Sequence, residues 1–467
     1  MRVIMNLDFE NFVNPSSDEA GKILANLLSR HGIRGCFMTV AEKARALRSR
    51  GRLDIINIVK NHEVNYHSDL HLGTVTEFLD EVDWDRGINY LLSTESKGIR
   101  TVEEVFGQFP RAYTGPGGSW SPQVIVAMRR MGIPIMSYTP FEMAPGVPMW
   151  YCNALNLSYY LCLDGYYSDE DRLRKWRERF EALCDMRKET QGIVSLFTHP
   201  IQLLIKGWPP RPSPYLGSSP REVWIPVEGR PKALVTSILR DLDEFLSFLV
   251  KEIKAEFITY EDLYASCKQD DPGWIPVADV VELAKAIESR LTYHTCRGCC
   301  YSPAEIFGLI AHTFGCYRRE RSLPQLVPYR RIIGPLFPAP QRLREPIQLG
   351  ADYVIEASED ISWAMERSGH MPSGVKSERS GNAVTLGSGP FLGAMARLLI
   401  ELWESGNLPE QVLSGQQPDM PEIADQPVFK ELKYFRVWVG YSPDFEGANL
   451  LRLARLQSWS VKPATLS

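Results

Sequence analysis

Apolar and polar positions alternate with two different periods along roughly the first 265 residues. Short apolar runs over 1–7, 35–40 and 192–199 predict buried strands, and runs with helical spacing over 17–30, 41–60, 74–92, 101–106 and 233–253 predict amphipathic helices. Strand and helix units repeated in this way predict an α/β fold, with a parallel sheet and helices outside it. In such folds the active-site residues lie at the carboxyl ends of the strands.

The first predicted strand leads into two carboxylates. Asp8 and Glu10 follow the apolar run 1–7 and lie two residues apart, so in an extended segment both side chains point to the same side. Acidic residues at a strand end also serve as helix caps or solvated charges. A functional role therefore depends on which other groups reach the same edge of the sheet.

His67 and His71 are the first such groups. They lie four residues apart in a polar stretch after a strand-like run, and on one turn of helix this spacing places both imidazoles on one face. Two imidazoles and a carboxylate can share a metal ion. The same spacing also occurs on helix surfaces that bind nothing, so the pair predicts a metal site only together with a carboxylate such as Asp8 or Glu10.

His199 ends the strand predicted over 192–199 and is followed by Pro200. An imidazole at this edge suits a general acid or base, whereas the alternative is a histidine that only caps the strand. Residues 205–231 are rich in Pro and Gly and include Trp208, and loops of this length often serve as lids or binding loops. The aromatic side chains of this loop could stack on sugar rings or pack on the domain.

Composition excludes several function classes. The 467 residues allow about two to four domains, and a net charge of -5 without a basic block argues against nucleic-acid binding. No apolar run reaches the length of a membrane span, and the first residues form a strand-like run rather than a signal sequence. A cytoplasmic location is therefore the expectation.

The nine cysteines do not indicate a disulfide framework, because their number is odd and the chain is long. Apolar or strand-like surroundings favour buried free thiols at Cys36, Cys152, Cys162 and Cys184. One cysteine grouping, His294-Thr-Cys296-Arg-Gly-Cys299-Cys300, has metal-ligand chemistry. It lacks a second CxxC, so its spacing does not by itself define a structural zinc site.

Four segments occur in an order that resembles a known family. They are Asp8-Phe9-Glu10, His67-Ser68-Asp69-Leu70-His71, Gly115-Pro116-Gly117-Gly118-Ser119-Trp120 and Leu196-Phe197-Thr198-His199. Over roughly residues 1–265 the chain thereby resembles the polysaccharide deacetylase family (NodB homology domain, carbohydrate esterase family 4). The resemblance implies a distorted (β/α) barrel that holds one divalent metal ion, with zinc as the expected ion.

The family pattern also implies a role for each matching residue. Glu10, His67 and His71 match the metal ligands. Asp8 matches the general base, and His199 matches the acid that protonates the leaving group. Each role suits the chemistry of its side chain, because a carboxylate can take a proton from water and an imidazole can return one near neutral pH.

The implied function is hydrolysis with metal-activated water. An acetyl group would be removed from a sugar, or another non-peptide C–N bond cleaved, so the expected partner is an acetylated sugar or a related small amide. The expected substrate-binding residues are Pro116, Gly117, Gly118, Trp120 and Trp208. The alternative is a non-catalytic carbohydrate-binding or scaffold protein on the same barrel.

Two positions depart from the family pattern. The second carboxylate is Glu10, two residues after Asp8, where many members have adjacent aspartates; the longer side chain can still reach a metal. Thr114 stands where the family usually has an arginine that orients the base, and Arg111 lies close enough in sequence to replace it. The second departure keeps the non-catalytic alternative open.

The chain beyond about residue 274 has a different pattern. Helices are predicted over 275–290 and 302–319, and an L/M-P-x-x-V segment recurs after a polar turn at 323–327, 371–375 and 408–412. These segments faintly resemble pseudomurein-binding-type repeats, which would imply contact with a polysaccharide; the alternative is a helical domain that packs on the barrel. We predict a deacetylase-like barrel over 1–267, a linker and first helical repeat region over 268–340, and a mostly α-helical repeat region over 341–467.

Overall fold

The computed structural model describes residues 1–72, 75–139, 142–190, 192–205, 228–267, 271–339, 345–379, 382–435 and 441–466. The chain divides into two units. Unit 1 comprises Met1–Pro148, Ala154–Ala265 and Lys433–Glu446. Unit 2 comprises Met149–Asn153, Ser266–Leu432 and Gly447–Ser467. The domain boundaries near 267 and 340 remain predictions, and the grouping of Lys433–Glu446 with unit 1 had no signal in the sequence pattern.

Secondary structure is numbered along the whole chain. The strands are β1 (Arg2–Phe9), β2 (Cys36–Thr39), β3 (Glu63–Tyr66), β4 (Ala112–Tyr113), β5 (Ile135–Ser137), β6 (Met149–Tyr151), β7 (Ala154–Leu157), β8 (Leu161–Cys162), β9 (Val194–Thr198), β10 (Glu256–Phe257), β11 (Trp274–Pro276), β12 (His294–Cys296), β13 (Cys299–Tyr301), β14 (Leu326–Pro328), β15 (Gln348–Gly350), β16 (Gly374–Arg379), β17 (Asn382–Gly387), β18 (Gln411–Leu413) and β19 (Lys462–Pro463).

The α-helices are α1 (Ser16–Arg30), α2 (Ala41–Ser49), α3 (Leu53–Val59), α4 (Val75–Glu81), α5 (Trp84–Phe106), α6 (Pro122–Arg130), α7 (Arg172–Met186), α8 (Pro200–Leu204), α9 (Lys232–Lys251), α10 (Tyr260–Ser266), α11 (Val277–Ser289), α12 (Pro303–Glu320), α13 (Ala351–Ser368), α14 (Ser388–Ser405) and α15 (Ala448–Leu456). Among the described residues, no helix is both long enough and apolar enough to cross a bilayer.

Unit 1 is built on a parallel sheet. Its strands pair in the order β7-β5-β4-β3-β2-β1-β9-β8, and β10 also pairs with β1. Each of these pairs is parallel. Helices connect most of the strands, which confirms the predicted α/β class. Within the described part of unit 1 the pairings run from β7 to β8 without joining the two ends, so the distorted barrel stays an expectation.

Strand β1 lies in the interior of this sheet, and its sequence explains why. Val3, Ile4 and Leu7 are fully buried, with β2 paired on one side and β9 on the other. Asn6 is a polar exception whose amide donates to Ser195 Oγ at 2.8 Å and accepts from the Tyr260 hydroxyl at 2.8 Å. Because these partners replace water, a buried amide is tolerated and β1 is held in one register against β9.

Several helix boundaries differ from the sequence pattern. The single helix predicted over 41–60 is wrong: the chain forms α2 and α3, separated by Gly51 with a φ of 67°. The runs 74–92 and 101–106 correspond to α4 and one longer helix, α5, which ends at Gly107 with a φ of 70°. Helical periodicity therefore located these helices, and glycines in the left-handed conformation set two of their ends.

Unit 2 contains the same order of elements twice. The order is β11-α11-β12-β13-α12-β14 in the first half and β15-α13-β16-β17-α14-β18 in the second. In each half the first and last strands pair antiparallel, as do the two middle strands. The other strands of unit 2, β6 and β19, also form an antiparallel pair.

The L/M-P-x-x-V segments mark a recurring turn from helix to strand. α12, α13 and α14 are each followed by a C-cap residue with left-handed backbone conformation: Arg321, Gly369 and Gly406. The following strands carry the valine of each segment into the core of unit 2: Val327, Val375 and Val412. The recurring L/M-P-x-x-V pattern therefore has a structural explanation, because each valine is a buried apolar residue in the strand after the turn. The likeness to wall-binding repeats remains a prediction.

None of the nine cysteines, all of which lie among the described residues, forms a disulfide bond. Cys36 and Cys152 are buried. Cys162 and Cys184 are partly exposed, so the expectation of buried thiols is wrong at these two positions. Cys162 is partly exposed because it is the last residue of the two-residue strand β8, which is the terminal strand in the order of the described sheet.

A buried ion pair holds the chain shortly after β1. Lys43, on α2, is fully buried, donates to the carbonyl of Asn11 at 2.9 Å and pairs with Asp18. Arg50 also pairs with Asp18, at 3.1 Å. Burial lowers the pKa of Lys43 to about 8, although Asp18 acts in the opposite direction. The segment that follows Glu10 is therefore tied to α2 by a charged contact shielded from water.

Lys43→Met is expected to destabilise unit 1 by about 1.5 to 3 kcal/mol, because the buried Asp18 loses one charged hydrogen bond and keeps Arg50 as its remaining cation. Urea unfolding followed by circular dichroism measures this change. Lys188→Met is the matched control, since Lys188 pairs with Asp185 on the surface and its loss should leave the midpoint unchanged. A Lys43→Met variant as stable as the wild type would contradict the prediction.

Candidate metal centre and active site

Three strands of the unit 1 sheet are followed, at their carboxyl ends, by candidate functional residues. Glu10 directly follows β1, His67 directly follows β3, and His199 directly follows β9. β1 is parallel to its neighbours β2 and β9, and β2 is parallel to β3. The carboxyl ends of these strands therefore lie on the same side, and the three residues come together there although they are far apart in the sequence.

The histidine pair lies in a turn, so the prediction of a helical turn is wrong. β3 ends at Tyr66, and Ser68 and His71 have φ values of 70° and 57°. The backbone N–H of His71 donates to Ser68 Oγ at 2.9 Å, which stabilises the turn. The ring centroids of His67 and His71 are 5.0 Å apart, so this turn still brings both imidazoles to one place.

Glu10, His67 and His71 form the candidate metal centre. Glu10 Oε2 lies 2.9 Å from His67 Nε2 and 2.8 Å from His71 Nε2. All three residues are buried, and one ligand atom from each lies within 4.8 Å of the others. Burial would raise the pKa of Glu10, but the neighbouring His71 and His67 hold it well below its usual range. Burial lowers the pKa of His71.

This donor set fits a divalent metal ion such as zinc. Two imidazole nitrogens and a carboxylate oxygen are common zinc ligands, and three protein ligands leave a position for water or substrate. An ionised carboxylate beside a neutral imidazole is also the protonation state that metal binding needs. His67 Nδ1 is buried without a hydrogen-bond partner among the described residues, and the other ring nitrogen, Nε2, contacts Glu10.

Asp8 and His199 lie beside the candidate metal centre. His199 Nε2 is 3.5 Å from Asp8 Oδ2. Burial raises the pKa of Asp8 to about 6, although His199 acts to lower it. Burial alone would lower the pKa of His199, but Asp164, Glu10 and Asp8 together raise it to about 10. A carboxylate that can accept a proton near neutral pH therefore lies next to an imidazole that can donate one.

Asp164 is a candidate functional residue that the sequence pattern did not reveal. It begins the short 3-10 turn Asp164–Tyr166 after β8, which pairs with β9. One carboxylate oxygen lies 3.1 Å from His199 Nδ1, and the other accepts the backbone N–H of His199 at 3.1 Å. β8 has only two residues, too few for a strand signal that would have pointed to its end.

Tyr159 contacts Asp8 on the side of Thr114, the position where the family pattern has an arginine. The Tyr159 hydroxyl lies 3.1 Å from Thr114 Oγ1 and 3.5 Å from Asp8 Oδ1. Arg111 precedes β4 and pairs with Glu261 at 3.6 Å, whereas Thr114 follows β4. Arg111 therefore lies at the opposite end of that strand and does not replace the missing arginine. The pattern gave no sign of Tyr159, because it lies in a connection between two short strands.

The turn over 115–120 follows β4 and has a backbone that depends on glycine. Gly117 and Gly118 have φ values of 61° and 74°. A Cβ atom on Gly118 would lie 2.2 Å from the ring of Tyr138, so a larger residue there would have to displace that ring. Pro116 and Gly118 are buried and Gly117 is partly exposed.

Trp120, at the end of this turn, is an interior residue of unit 1. Its side chain is 1% exposed and stacks on Phe435 with ring centroids 4.3 Å apart. Direct substrate contacts by Trp120, Pro116, Gly117 and Gly118 remain a prediction, and Trp208 lies outside the described residues.

The cysteine grouping 294–300, whose residue types have metal-ligand chemistry, lies on the β12-β13 hairpin of unit 2, where Cys296 and Cys299 are paired residues. In the described part of the chain, two groups bring three donor atoms within 4.8 Å: Glu10 with His67 and His71, and Cys162 with Asp164 and His199. The cysteine grouping is not one of them, in agreement with a spacing that does not define a structural zinc site.

Comparisons with protein-family models and with curated proteins found no match. Among solved structures, a polysaccharide deacetylase from Bacillus cereus is 13% identical with a TM-score of 0.31, covering 55% of this chain and 91% of that one. A family 4 acetyl xylan esterase from Clostridium thermocellum, in complex with a cobalt ion, is also 13% identical with a TM-score of 0.31, covering 57% and 91%. A 4-α-glucanotransferase from Thermococcus litoralis is 11% identical with a TM-score of 0.40, covering 62% and 46%. At such values none of these likenesses assigns an activity to this chain.

The candidate metal centre is expected to retain about one divalent ion per chain after loosely bound metal is removed. The variant His67→Ala/His71→Ala should lose this ion, because two of its three ligands are gone. Elemental analysis of the purified protein measures this content. His294→Ala is the matched control, since it alters the cysteine grouping in unit 2 and should keep the ion. Full metal content in the double variant would show that the ion binds elsewhere.

Proposed function

We propose that this chain is a metal-dependent hydrolase that removes an acetyl group from a sugar. The observation that carries the proposal is the meeting of a buried Glu-His-His donor set with a carboxylate and an imidazole at one edge of the parallel sheet. The resemblance of the sequence motifs to polysaccharide deacetylases supports the same reaction. Cleavage of another non-peptide C–N bond needs the same groups and is the nearest variant of this function.

Glu10, His67 and His71 would hold the ion in this proposal. When bound, it supplies Lewis-acid polarisation of the scissile carbonyl and lowers the pKa of water. The three ligands leave the carboxylate of Asp8 available as a base, because Asp8 is not part of the donor set. Asp8 accepts the proton of the attacking water, and its burial keeps bulk water from competing for that role.

His199 completes the reaction as the acid. It holds a proton at Nε2, 3.5 Å from Asp8 Oδ2, and delivers it to the nitrogen or oxygen of the leaving sugar as the bond to the acetyl carbon breaks. Asp164 accepts from Nδ1 of the same ring and fixes its orientation. The products are acetate and an amine or alcohol, so no further reactant is required.

Tyr159 takes the positioning role of the missing arginine. Its hydroxyl, held by Thr114, can donate to Asp8 Oδ1 and so orient the carboxylate. A phenol adds no positive charge, whereas an arginine would lower the pKa of Asp8. The alternative, a carbohydrate-binding protein without turnover, rests on Thr114 in place of arginine, and it requires metal and sugar binding without acetate release.

Asp8→Asn is expected to lower kcat by at least about 100-fold while the chain keeps its metal, because an amide cannot accept the proton and Asp8 is not a ligand. Acetate release from N- and O-acetylated sugars measures the rate, and elemental analysis measures the metal. Loss of the ion in Asp8→Asn would make Asp8 a ligand instead. A metal-loaded wild type that binds acetylated sugars without releasing acetate would favour the binding protein.

Tyr159→Phe is expected to lower kcat about tenfold with little change in KM, since one hydrogen bond to the base is lost. Tyr160→Phe is the matched control: its hydroxyl donates to Glu142, so the neighbouring substitution also removes a bond between a phenol and a carboxylate. Equal kcat values for the Tyr159→Phe variant and the wild type would remove Tyr159 from the proposal.

A further inference from the structure

A second set of metal-ligating side chains lies next to the candidate metal centre. We call Cys162, Asp164 and His199 the Cys162 cluster. One sulfur, one carboxylate oxygen and one imidazole nitrogen of this cluster lie within 4.8 Å of one another. All three residues are partly exposed, whereas Glu10, His67 and His71 are buried. The Cys162 cluster is therefore the more accessible of the two sets, and it alone contains sulfur.

The spacing of the Cys162 cluster suits a tetrahedral ion. Cys162 Sγ lies 3.4 Å from Asp164 Oδ1, His199 Nδ1 lies 3.1 Å from the other oxygen, Oδ2, and one donor atom from each residue lies within 4.8 Å of the other two. Zinc bonds of about 2.0 to 2.3 Å at a tetrahedral angle place ligand atoms about 3.3 to 3.6 Å apart. Small side-chain rotations would therefore be enough for these three residues to share one cation.

The backbone holds the Cys162 cluster in place. β8 and β9 are parallel neighbours, with Cys162 paired to Phe197, two residues before His199. Leu163 donates its backbone N–H to the Phe197 carbonyl at 2.9 Å, so the chain stays beside β9 as it leaves β8. The backbone N–H of His199 donates to Asp164 Oδ1 at 3.1 Å. The donor groups are thus positioned before any ion arrives.

We propose that Cys162, Asp164 and His199 form a second cation site, selective for zinc-like ions and inhibitory when filled. Binding releases the Cys162 thiol proton and the His199 Nδ1 proton to solvent, and the sulfur, the nitrogen and an Asp164 oxygen bind the ion. His199 then keeps only its Nε2 proton on a metal-bound neutral imidazole, which is a weaker acid than imidazolium. This inhibition rests on the proposed function, in which His199 protonates the leaving group.

Cobalt titration of the metal-free full-length chain tests the site itself. Cobalt(II) bound to thiolate gives a charge-transfer band in the near ultraviolet, which a carboxylate and two imidazoles cannot give. We expect the first equivalent to bind without this band and the second equivalent to produce it. Cys162→Ser should lose the band and still retain one cobalt ion, which would also show that the variant is folded.

Two matched variants separate the sites. His67→Ala/His71→Ala should lose the first ion and keep the charge-transfer band, because the Cys162 cluster is unchanged. Cys296→Ser/Cys299→Ser should also keep the band, since those thiols lie on the β12-β13 hairpin of unit 2. A band that survives in Cys162→Ser, or a wild type that shows no band at excess cobalt, would overturn the proposal.

Zinc inhibition tests the consequence for catalysis. Excess zinc should inhibit acetate release by the wild type, and Cys162→Ser should need about tenfold more zinc or higher for the same inhibition, because a ligand is lost. Equal zinc sensitivity in the two proteins would reject the inhibitory role. If the wild type hydrolyses no acetylated sugar, the proposed function is wrong. The cobalt spectrum still tests the Cys162 cluster in that case, because it does not depend on turnover.

Discussion

The carboxylates at the end of β1 impose the main electrostatic constraint on unit 1. Asp8 and Glu10 are 5% and 4% exposed, and taking each ion out of water costs several kcal/mol. Such a cost is offset only by close partners of opposite charge or by hydrogen-bond donors. The imidazoles of His67, His71 and His199 are those partners. Their positions follow from the parallel register of β1 with β2 and β9 and of β2 with β3.

The same constraint explains several contacts away from the reacting groups. Lys43 and Arg50 neutralise the buried Asp18 shortly after β1 and so fix the chain that leaves the site. In unit 2, buried Lys462 pairs with Glu305 at 2.9 Å and donates to the Tyr329 hydroxyl at 2.9 Å. In each case a buried charge has both an ionic partner and a hydrogen bond, which is the condition for tolerating it inside a protein.

His199 contacts the candidate base Asp8 and is also a member of the Cys162 cluster. Its Nε2 side faces Asp8 at 3.5 Å, and its Nδ1 side faces Asp164 at 3.1 Å. An imidazole has two nitrogens whose protonation states are coupled, so a ligand on one nitrogen changes what the other can do. In the proposed function this ring protonates the leaving group from Nε2, and in the proposed cation site an ion bound at Nδ1 would prevent that transfer. Catalysis and inhibition would then depend on a single ring.

The sequence predicted the α/β class of the first unit, two strands whose carboxyl ends carry Asp8 and His199 to the site, and the candidate ligands Glu10, His67 and His71. These follow from local periodicity and from motif order, which need no tertiary information. It did not determine the turn that carries His67 and His71, because φ values of 70° at Ser68 and 57° at His71 depend on surrounding contacts. The tertiary structure alone brought Asp164 and Tyr159 to the site. Both lie beside strands too short to leave a pattern, and their partners are more than thirty residues away, so only the pairing of distant strands places them there.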